Sequence, residues 1–315
     1  MKRMVWLLNE KNPTKTDYSI AINFWYGVLE NLGYEVAYSP YEEYSIDGFY
    51  EQIKNFRPYF VIVPGYNIIH TELIRLKEFT KIYVLQSDDS WRFENFCKFW
   101  IPFVDGVISF DGNFENKYLE YGLEPNDYCK MRWAFNPNIM VQPAVSKEIH
   151  ISHTGGLHGN REQKLVEFMT KGMKVDAFHP NTYAEAKYIW SASKYSLGFT
   201  MNSVMTARHA KGRVAEIPAH TVLATEPFPE IEDYYDTKKE IILFDTVDEA
   251  LDKIKYYDDR PTEYEKLFID GKKAVWSRNT AYHEWNKILH KIDPDYQPID
   301  VTKLLKEKHK EYYYE

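Results

Sequence analysis

The sequence predicts an α/β protein built from two Rossmann-like domains, and three observations lead to this prediction. The 315 residues exceed the roughly 150 of a typical domain by a factor of two. Short apolar runs alternate with helical stretches, which is typical of parallel βαβ units. The alternation is interrupted once, by a Pro- and Asn-rich loop that begins at Asn136. We therefore expect two open sheets, with ligands bound at the carboxyl ends of their strands.

The composition excludes several classes of protein. Hydrophobic residues make up 44% and charged residues 27% of the chain, which is ordinary for a globular protein and rules out a disordered or fibrous one. The two cysteines, Cys97 and Cys129, are too few for a disulfide framework or a four-cysteine zinc site, and they fit a reducing compartment. The N-terminal apolar run Met4–Leu8 is too short for a signal peptide or a membrane span. We expect a soluble, cytoplasmic protein.

The charge balance limits the choice of partners. Because 47 acidic residues outnumber 39 basic ones, a protein whose main task is to hold a phosphate backbone is disfavoured. A local basic groove stays open as an alternative, since Lys2, Arg3, Lys11 and Lys15 lie near the first predicted loop.

Each half of the chain contains five predicted strands and five predicted helices. In the first half the strands are 4–8, 35–38, 59–63, 81–85 and 106–110, and the helices are 17–32, 47–56, 70–79, 91–101 and 113–121. In the second half the strands are 148–152, 174–177, 195–199, 222–225 and 240–244, and the helices are 160–171, 182–192, 212–220, 246–257 and 262–290. We place an N-terminal domain over 1–143, a C-terminal domain over 144–290, and a tail over 291–315, whose last part, 303–315, is a solvated helix or a frayed end.

A glycine-rich loop follows the strand at 148–152. It contains Gly155 and Gly156, and the next helix starts near Asn160, a plausible N-cap with Gln163 as its capping-box partner. Glycines let backbone N–H groups approach a phosphate, and a helix N-terminus adds positive potential. Arg161 adds a forked cation suited to a diphosphate. The loop predicts an anion site, although a plain βα turn with a surface arginine would give the same pattern.

The loop is neither of the two common nucleotide motifs. The dinucleotide pattern G-x-G-x-x-G is absent, and no Gly-Lys-Ser/Thr follows as in a phosphate-binding P-loop. His158, within the loop, is a candidate for a donor-side catalytic role, as is His153 before it.

The segment 194–226 carries further candidates for binding a nucleotide. Pro218 predicts a helix that begins close by, because proline is tolerated in the first turn, and Glu216 would then lie near the helix start. A carboxylate there can accept hydrogen bonds from both hydroxyls of a ribose. Lys194, Lys211 and Arg213 are candidates for neutralising a diphosphate. The alternative is a carboxylate that stabilises the helix dipole, beside solvated cations.

The same segment resembles a known enzyme family. The run RVAEIPA over Arg213–Ala219 and the run TEPFPEIEDY over Thr225–Tyr234 are similar to the C-terminal half of the CgeB-like, glycosyltransferase-family-1 type of GT-B enzymes. The likeness covers roughly 130–290, from Trp133–Asn138 to Tyr282. Two positions depart from the family pattern: His220 stands where a glycine is usual, and Arg208 where relatives often carry a glutamate.

The resemblance implies a GT-B fold, with two facing Rossmann-like domains and a C-terminal helix, and transfer of a sugar from a nucleotide sugar. It implies that Glu216 binds the ribose and that Arg161, with Lys211 or Arg213, binds the diphosphate. The loop around Phe178 and His179 would hold the base.

Acceptor groups are expected on loops of the N-terminal domain. Candidates lie at 9–17, at 65–70 and at 86–91, where Asp88 could take the proton of the acceptor hydroxyl, although Asp88 and Asp89 could equally cap the helix that follows. No His/Cys/Asp cluster has metal-ligand spacing, and the D-x-D at 293–295 falls in the tail rather than after a core strand. Cations and helix ends would then neutralise the leaving diphosphate.

The sequence thus predicts a metal-independent glycosyltransferase that uses a nucleotide-diphosphate sugar, with uridine as the expected base, and no resident cofactor. The acceptor is a glycan or a protein. Three alternatives stay open: a phage-type enzyme that modifies a hydroxymethylated DNA base, a non-catalytic nucleotide-sugar binding protein, and a Rossmann oxidoreductase, which the missing fingerprint disfavours. The sequence does not indicate an oligomeric state.

Overall fold

The computed structural model describes residues 2–8, 27–40, 46–64, 70–87, 89–141, 144–202 and 205–313. These residues form two compact units. The first takes the described residues from 2 to 132 together with 284–299, and the second takes 133–283 and 300–313. The chain therefore leaves the first unit at Arg132 and returns to it at Glu284. The predicted domain limits at residues 143 and 290 stay predictions.

The first unit contains a parallel sheet whose strands are joined by helices. Its strand order is β2-β1-β3-β4-β5-β6, and every neighbouring pair is parallel. The strands are β1 Lys2–Leu8, β2 Tyr34–Pro40, β3 Phe60–Pro64, β4 Lys81–Gln86, β5 Gly106–Ser109 and β6 Tyr128–Lys130. The helices are α1 Val28–Asn31, α2 Ile46–Phe56, α3 His70–Lys77, α4 Asp89–Arg92 and α5 Glu115–Glu120. Strands β4 and β5 are buried along almost their whole length, as expected when helices cover both faces.

The second unit repeats this architecture with a shorter sheet. Its strand order is β11-β10-β9-β7-β8, again with parallel pairs throughout. The strands are β7 Ile149–Thr154, β8 Asp176–Phe178, β9 Ser193–Gly198, β10 Val222–Thr225 and β11 Ile242–Leu243. Because β8 lies on one side of β7 and β9 on the other, the strand order reverses at β7. This reversal opens a crevice at the carboxyl ends of β7 and β9, where open α/β sheets bind ligands.

Nine α-helices belong to the second half among the residues described. They are α6 Pro137–Met140, α7 Arg161–Thr170, α8 Tyr183–Ala192, α9 Gly212–Glu216, α10 Ile231–Tyr234, α11 Val247–Asp258, α12 Pro261–Arg278, α13 Ala281–Ile292 and α14 Val301–Lys308. The last of these occupies the predicted tail, where Val301 and Leu305 are buried, so this part of the tail is packed rather than frayed.

Each unit has its own apolar core. The core of the first unit includes Val61, Val84 and Trp100, and the core of the second includes Ile151, Tyr195 and Phe199. The two cysteines are buried and unpaired. No helix among the described residues is long and apolar enough to cross a membrane.

One predicted helix, 262–290, is wrong because the chain breaks it in two. Helix α12 ends at Arg278 and α13 begins at Ala281. Between them the backbone bonds to Phe135, whose N–H donates to the carbonyl of Asn279 and whose carbonyl accepts from Ala281. The Asn279 amide also donates to the carbonyl of Tyr234 at 2.8 Å. These tertiary hydrogen bonds replace two helical ones, and no local sequence signal announces them.

Three smaller differences separate prediction from structure. The short edge strand β6 was not predicted. The predicted helix 91–101 is replaced by α4 and two single turns of 3₁₀ helix at Cys97–Phe99 and Ile101–Phe103. The predicted helix 212–220 ends early as α9, because Pro218 lies in a separate 3₁₀ turn, Ile217–Ala219.

The aspartates of the D-x-D at 293–295 hold the C-terminal segment to the start of the chain within the first unit. Asp293 is buried and accepts hydrogen bonds from Lys2 and from the Tyr34 hydroxyl, the latter at 2.5 Å. Lys2 also pairs with Asp295 at 3.3 Å. These contacts give the motif a structural role, and they engage one of the four cations that the sequence analysis considered for a basic groove.

Candidate active site

A cavity of about 320 Å³ lies at the carboxyl end of β7 in the second unit. Its volume falls in the range of small-molecule sites. Thr154, Gly155, Gly156 and Arg213 line one part of it, and the loop His179–Asn181 after β8 lines the rest. The cavity therefore lies at the reversal of strand order, where the fold predicts a ligand.

Gly155 makes room for a guanidinium group beside this cavity. Its φ is +110°, a conformation that L side chains rarely adopt, and its N–H donates to the carbonyl of Phe178 at 2.8 Å. A Cβ atom built on Gly155 overlaps the guanidinium of Arg213. That guanidinium donates to the carbonyl of Thr154, the last residue of β7. The glycine and the arginine thus fit together as one unit of the cavity wall.

A second guanidinium, that of Arg161, is buried beside the glycine loop. Only 5% of Arg161 is exposed, although it is the first residue of α7. Its Nη1 donates to the carbonyl of Gly156 at 2.9 Å, and its Nη2 lies 3.5 Å from the carbonyl of Met201. Burial and the charge of Arg213 lower the pKa of Arg161 to about 10. The two like charges are therefore close enough to repel each other, which is a cost that a bound anion would remove.

The residue before Thr154, His153, lies under the same charges. It is buried on β7 against Phe199, with ring centroids 5.0 Å apart. Burial, followed by the charges of Arg213 and Arg161, lowers its pKa to about 3, so the imidazole is neutral at physiological pH. Its Nδ1 lies 3.3 Å from the carbonyl oxygen of Leu197.

A buried carboxylate at this edge of the sheet, that of Glu226, is already paired. Glu226 follows β10, is 1% exposed, and accepts hydrogen bonds from Lys164 of α7 and from the Thr200 N–H, the latter at 3.0 Å. Lys164 pairs with Glu226, and Arg161 and Arg213 bring two further positive charges to this edge of the sheet. Two guanidinium groups beside a partly enclosed cavity favour an anionic ligand.

The other wall of the cavity is fixed by a capping box. Thr182 caps α8 by accepting from the Glu185 N–H at 3.2 Å, and the Glu185 carboxylate accepts in return from the Asn181 N–H at 2.8 Å. The loop His179–Asn181 is thereby held in one conformation, with the exposed ring of His179 at the cavity. Phe178 ends β8 and bonds Gly155 through its backbone, but its side chain is not part of the lining.

Helix α9 is short and carries both Arg213 and Glu216. The prediction that Glu216 lies near a helix start is confirmed for the 3₁₀ turn Ile217–Ala219, whose N-cap position Glu216 occupies, although Glu216 is also the last residue of α9. The carboxylate is 1% exposed, and its Oε1 lies 3.5 Å from the position a Cβ would take on Gly212. It does not line the cavity. Lys211 precedes the helix, and its amine contacts the ring of His209 rather than the cavity.

Two further predicted residues lie elsewhere. Lys194 is near the amino end of β9, at the opposite edge of the sheet from the cavity. Its amine is 2.6 Å from Asp258 Oδ1 and 4.9 Å from the ring centroid of Tyr264. Lys194 is therefore not part of this site, because it lies at the amino end of β9 and the cavity lies at the carboxyl ends of the strands. His158 is exposed in the glycine loop, and a Cβ on Gly156 would overlap its ring.

Helix α7 begins without the predicted cap. The side chain of Asn160 makes no capping hydrogen bond, and its Oδ1 is buried with no hydrogen-bond partner among the residues described. The predicted capping box with Gln163 is therefore wrong.

The predicted acceptor-side base, Asp88, lies outside the described residues, as do positions 9–17 and 65–69. Its neighbour Asp89 is fully buried in the first unit. The Asp89 carboxylate accepts hydrogen bonds from the hydroxyls of Ser109 and Tyr118, the latter at 2.7 Å, and lies 3.6 Å from the thiol of Cys97. Burial raises its pKa to about 7. Among the described parts of the chain, no three His, Cys, Asp or Glu residues are grouped as metal ligands.

Residues 138–290 match the family model described as "Glycosyl transferase-like", which is just under half of the chain. No curated protein sequence matches the chain. Many solved structures do, and their sequence identities are low enough that the likeness concerns the fold.

Three of these structures illustrate the match. Sucrose-phosphate synthase from Thermosynechococcus elongatus aligns with a TM-score of 0.60 at 8% identity, over 93% of this chain and 99% of that one. HepE from Anabaena, in complex with UDP-glucose, gives a TM-score of 0.56 at 8% identity, over 93% and 100%. An alpha-glucosyltransferase in complex with UDP and a 13-mer DNA containing a HMU base gives 0.62 at 11% identity, over 92% and 99%.

The chain has the GT-B fold and carries a glycosyltransferase domain. The fold class and the enzyme class predicted from the sequence are both confirmed. In this glycosyltransferase the matched segment contains the whole cavity lining, from Thr154 to Arg213.

Sequence reasoning missed several residues of the site. Thr154, Pro180 and Asn181 line the cavity, and Glu226 with Lys164 forms the buried pair next to it. A signal for the first three was present, because Thr154 ends β7 and Pro180 and Asn181 come shortly after β8, so all three lie at the carboxyl ends of strands. The Lys164–Glu226 pair joins residues 62 positions apart, and no periodicity reveals it.

Proposed function

We propose that this glycosyltransferase transfers a sugar from a uridine-diphosphate sugar to the hydroxyl of a glycan or a protein. The proposal places the diphosphate in the cavity at the carboxyl end of β7. Arg213, Arg161 and the N–H groups of the glycine loop would neutralise the charge that develops on the leaving diphosphate. No metal ion is assigned to this step.

The observation that carries the proposal is the fit between Gly155 and Arg213. The half-buried guanidinium of Arg213 packs on the backbone of Gly155, which has no side chain, and lines the cavity. Forked N–H donors match the oxygen atoms of a phosphate. A second guanidinium, Arg161, adds charge, and Lys164 offsets the adjacent carboxylate Glu226.

The uridine assignment is supported by analogy with two of the neighbouring structures. HepE and the alpha-glucosyltransferase were both solved with UDP or UDP-glucose. In this chain the loop His179–Asn181 is the surface that the base would contact, and Glu216 is proposed to accept hydrogen bonds from the ribose hydroxyls. Glu216 does not line the present cavity, so this role requires the donor to extend past Arg213 toward Gly212.

A glycan or protein acceptor fits the net negative charge of the chain better than DNA, whose phosphates an acidic surface repels. The first compact unit holds more acidic than basic residues, and Lys2 is held by Asp293 and Asp295. A protein that grips a phosphate backbone needs a surplus of free cations. DNA is present in the alpha-glucosyltransferase structures. We do not propose it as the acceptor of this enzyme, but the test below would detect it.

Thermal unfolding in the presence of a panel of nucleotide sugars tests the proposal. A ligand at one hundred times its dissociation constant adds about 2.7 kcal/mol to the stability of the protein that binds it, so a match should raise the Tm by several degrees. We expect UDP and at least one UDP-sugar to do so, and nicotinamide dinucleotides to have no effect.

Hydrolysis of the stabilising UDP-sugar, with and without glycan, protein or hydroxymethylated DNA acceptors, then separates an enzyme from a binding protein. Slow hydrolysis without acceptor and acceleration by a glycan or protein are expected. Acceleration by modified DNA alone would replace the proposed acceptor. Lack of any stabilisation by UDP or its sugars would contradict the donor assignment.

A further inference from the structure

Two buried nitrogen atoms beside the cavity lack hydrogen-bond partners among the residues described. One is Nε2 of His153, on β7, and the other is Nε of Arg161, on α7. Buried polar atoms are rarely left unpaired, because each loses its hydrogen bonds to water, so their presence calls for a physical reason.

The chemistry of the two atoms is complementary. The carbonyl of Leu197, 3.3 Å from Nδ1 of His153, can only accept a hydrogen bond, so Nδ1 carries the proton of the neutral ring. Nε2 is then a lone-pair acceptor. Nε of Arg161 always carries a hydrogen and is a donor. Both side chains lie at the same edge of the sheet, because His153 packs on Phe199 and Arg161 reaches the carbonyl of Met201, two residues farther along the chain.

The present hydrogen bonds of Arg161 explain why the two atoms are unpaired here. Its terminal nitrogens are turned to two backbone carbonyls, those of Gly156 and Met201. Gly156 lines the cavity. A diphosphate in the cavity offers charged oxygen atoms, which accept more strongly than carbonyls do. When the terminal nitrogens turn toward it, the guanidinium plane rotates, and Nε can reach a new acceptor.

We propose that His153 positions Arg161 in the donor-bound enzyme by accepting a hydrogen bond from Nε of Arg161 at its own Nε2. The pair forms when a diphosphate draws the terminal nitrogens of Arg161 away from Gly156 and Met201. His153 does not touch the ligand; it fixes the plane of the guanidinium that does. This inference rests on the proposed diphosphate site and adds to it a residue outside the cavity lining.

Matched substitutions at one position test the pair. His153→Gln keeps an acceptor close to the place of Nε2, whereas His153→Met fills a similar volume without one. We expect His153→Met to weaken UDP binding about tenfold in calorimetry and His153→Gln to weaken it less than threefold. The affinity for uridine, which has no diphosphate, should stay the same in both variants. Unchanged UDP affinity in His153→Met, or an equal loss for uridine, would overturn the pairing.

A double-mutant cycle distinguishes a direct hydrogen bond between the two side chains from a purely structural role of His153. Arg161→Lys keeps the charge and removes Nε, so adding His153→Met to it should cause little further loss of UDP affinity. Additive losses would contradict a direct hydrogen bond. Should His153→Met fail to fold, His153→Asn replaces it, because its oxygen lies near Nδ1 and leaves the Nε2 position empty.

Inorganic pyrophosphate separates failure of this inference from failure of the proposed function. If the wild type binds pyrophosphate but not UDP, the uridine donor is wrong and the same variants are measured with pyrophosphate. If it binds neither, both proposals fall together.

Discussion

The two compact units have the same kind of parallel sheet, yet the carboxyl edges of the two sheets carry opposite chemistry. In the second unit the edge holds the guanidinium groups of Arg161 and Arg213 beside a glycine loop. In the first unit the described part of the edge holds a buried carboxylate, Asp89, surrounded by hydroxyl and thiol groups. The architecture alone therefore does not determine what binds at either edge. The few side chains that follow the strands do.

The two edges also deal with buried charge in different ways. The pKa of Asp89 is raised by burial, so this group can lose its charge by holding a proton near neutral pH. The arginines keep their charge, and a bound anion would offset it. The edge of the second unit is therefore the one that suits an anionic ligand. Variants at either edge test this difference.

The largest expected effect is on turnover at the cationic edge. Arg161→Ala should lower the turnover of the UDP-sugar by about 10²–10³-fold, because it removes a donor aimed at the developing charge of the leaving group. UDP binding, measured by calorimetry, should fall by a smaller factor. Lys194→Ala is the matched control: it removes a cation from the opposite edge of the same sheet, and turnover should change less than twofold. Equal losses of turnover and binding in Arg161→Ala would indicate simple ground-state binding.

The second effect concerns the acidic edge and its pH dependence. An ordinary aspartate in the unfolded chain loses its proton near pH 4, while Asp89 in the folded chain keeps it up to about pH 7. The folded state thus binds more protons between these values, and the free energy of unfolding should fall as the pH rises through this window.

Between pH 5 and pH 8 the contribution of Asp89 should decrease by about 2–3 kcal/mol, at 1.36 kcal/mol per unit. Urea unfolding of the wild type and of Asp89→Asn at both pH values measures it. The variant should lose less stability across this range. Parallel pH profiles for the two proteins would show that Asp89 is ionised in the folded chain.

The third effect tests how far the donor site extends along α9. Glu216→Ala should weaken UDP binding by about 1.5–3 kcal/mol, through the loss of charge-assisted hydrogen bonds to the ribose. Because Glu216 is buried, the Tm must be followed in parallel, and Glu216→Gln preserves its shape. An affinity for UDP equal to that of the wild type in both variants would remove Glu216 from the site.

The smallest expected effect distinguishes loss of the contact between Gly155 and Arg213 from the backbone strain that any side chain causes at a positive φ. Gly155 and Gly172 both have positive φ, at +110° and +87°, but only a Cβ on Gly155 meets Arg213. Alanine at either position should destabilise the fold by about 1–2 kcal/mol. Gly155→Ala alone should also weaken UDP binding, by roughly tenfold or 1.4 kcal/mol, since it displaces the guanidinium. If both variants bind UDP as the wild type does, the contact between Gly155 and Arg213 has no part in binding.

The sequence was sufficient for the features that local patterns encode. Alternating apolar runs and helical stretches predict most strands of both sheets, and the glycine loop with Arg161 and Arg213 points to the cationic edge. Lys194 was placed wrongly although it precedes the predicted strand 195–199, because a residue there lies at the amino end of the strand, away from the carboxyl edge where the site is. Pro218 correctly indicated a helix start next to Glu216, but that start belongs to a separate 3₁₀ turn, Ile217–Ala219, rather than to α9. The break at Asn279 and the Lys164–Glu226 pair depend on contacts between distant segments, which have no local signature.

A structure of the complex with UDP is the most direct test of the proposed diphosphate site. We expect the diphosphate to occupy the cavity at the carboxyl end of β7, with its oxygen atoms within hydrogen-bonding distance of the Arg213 guanidinium and of the glycine-loop N–H groups. We also expect the Arg161 guanidinium to have turned away from the carbonyl of Gly156. A diphosphate bound elsewhere, with Arg213 still facing an empty cavity, would rule out this site.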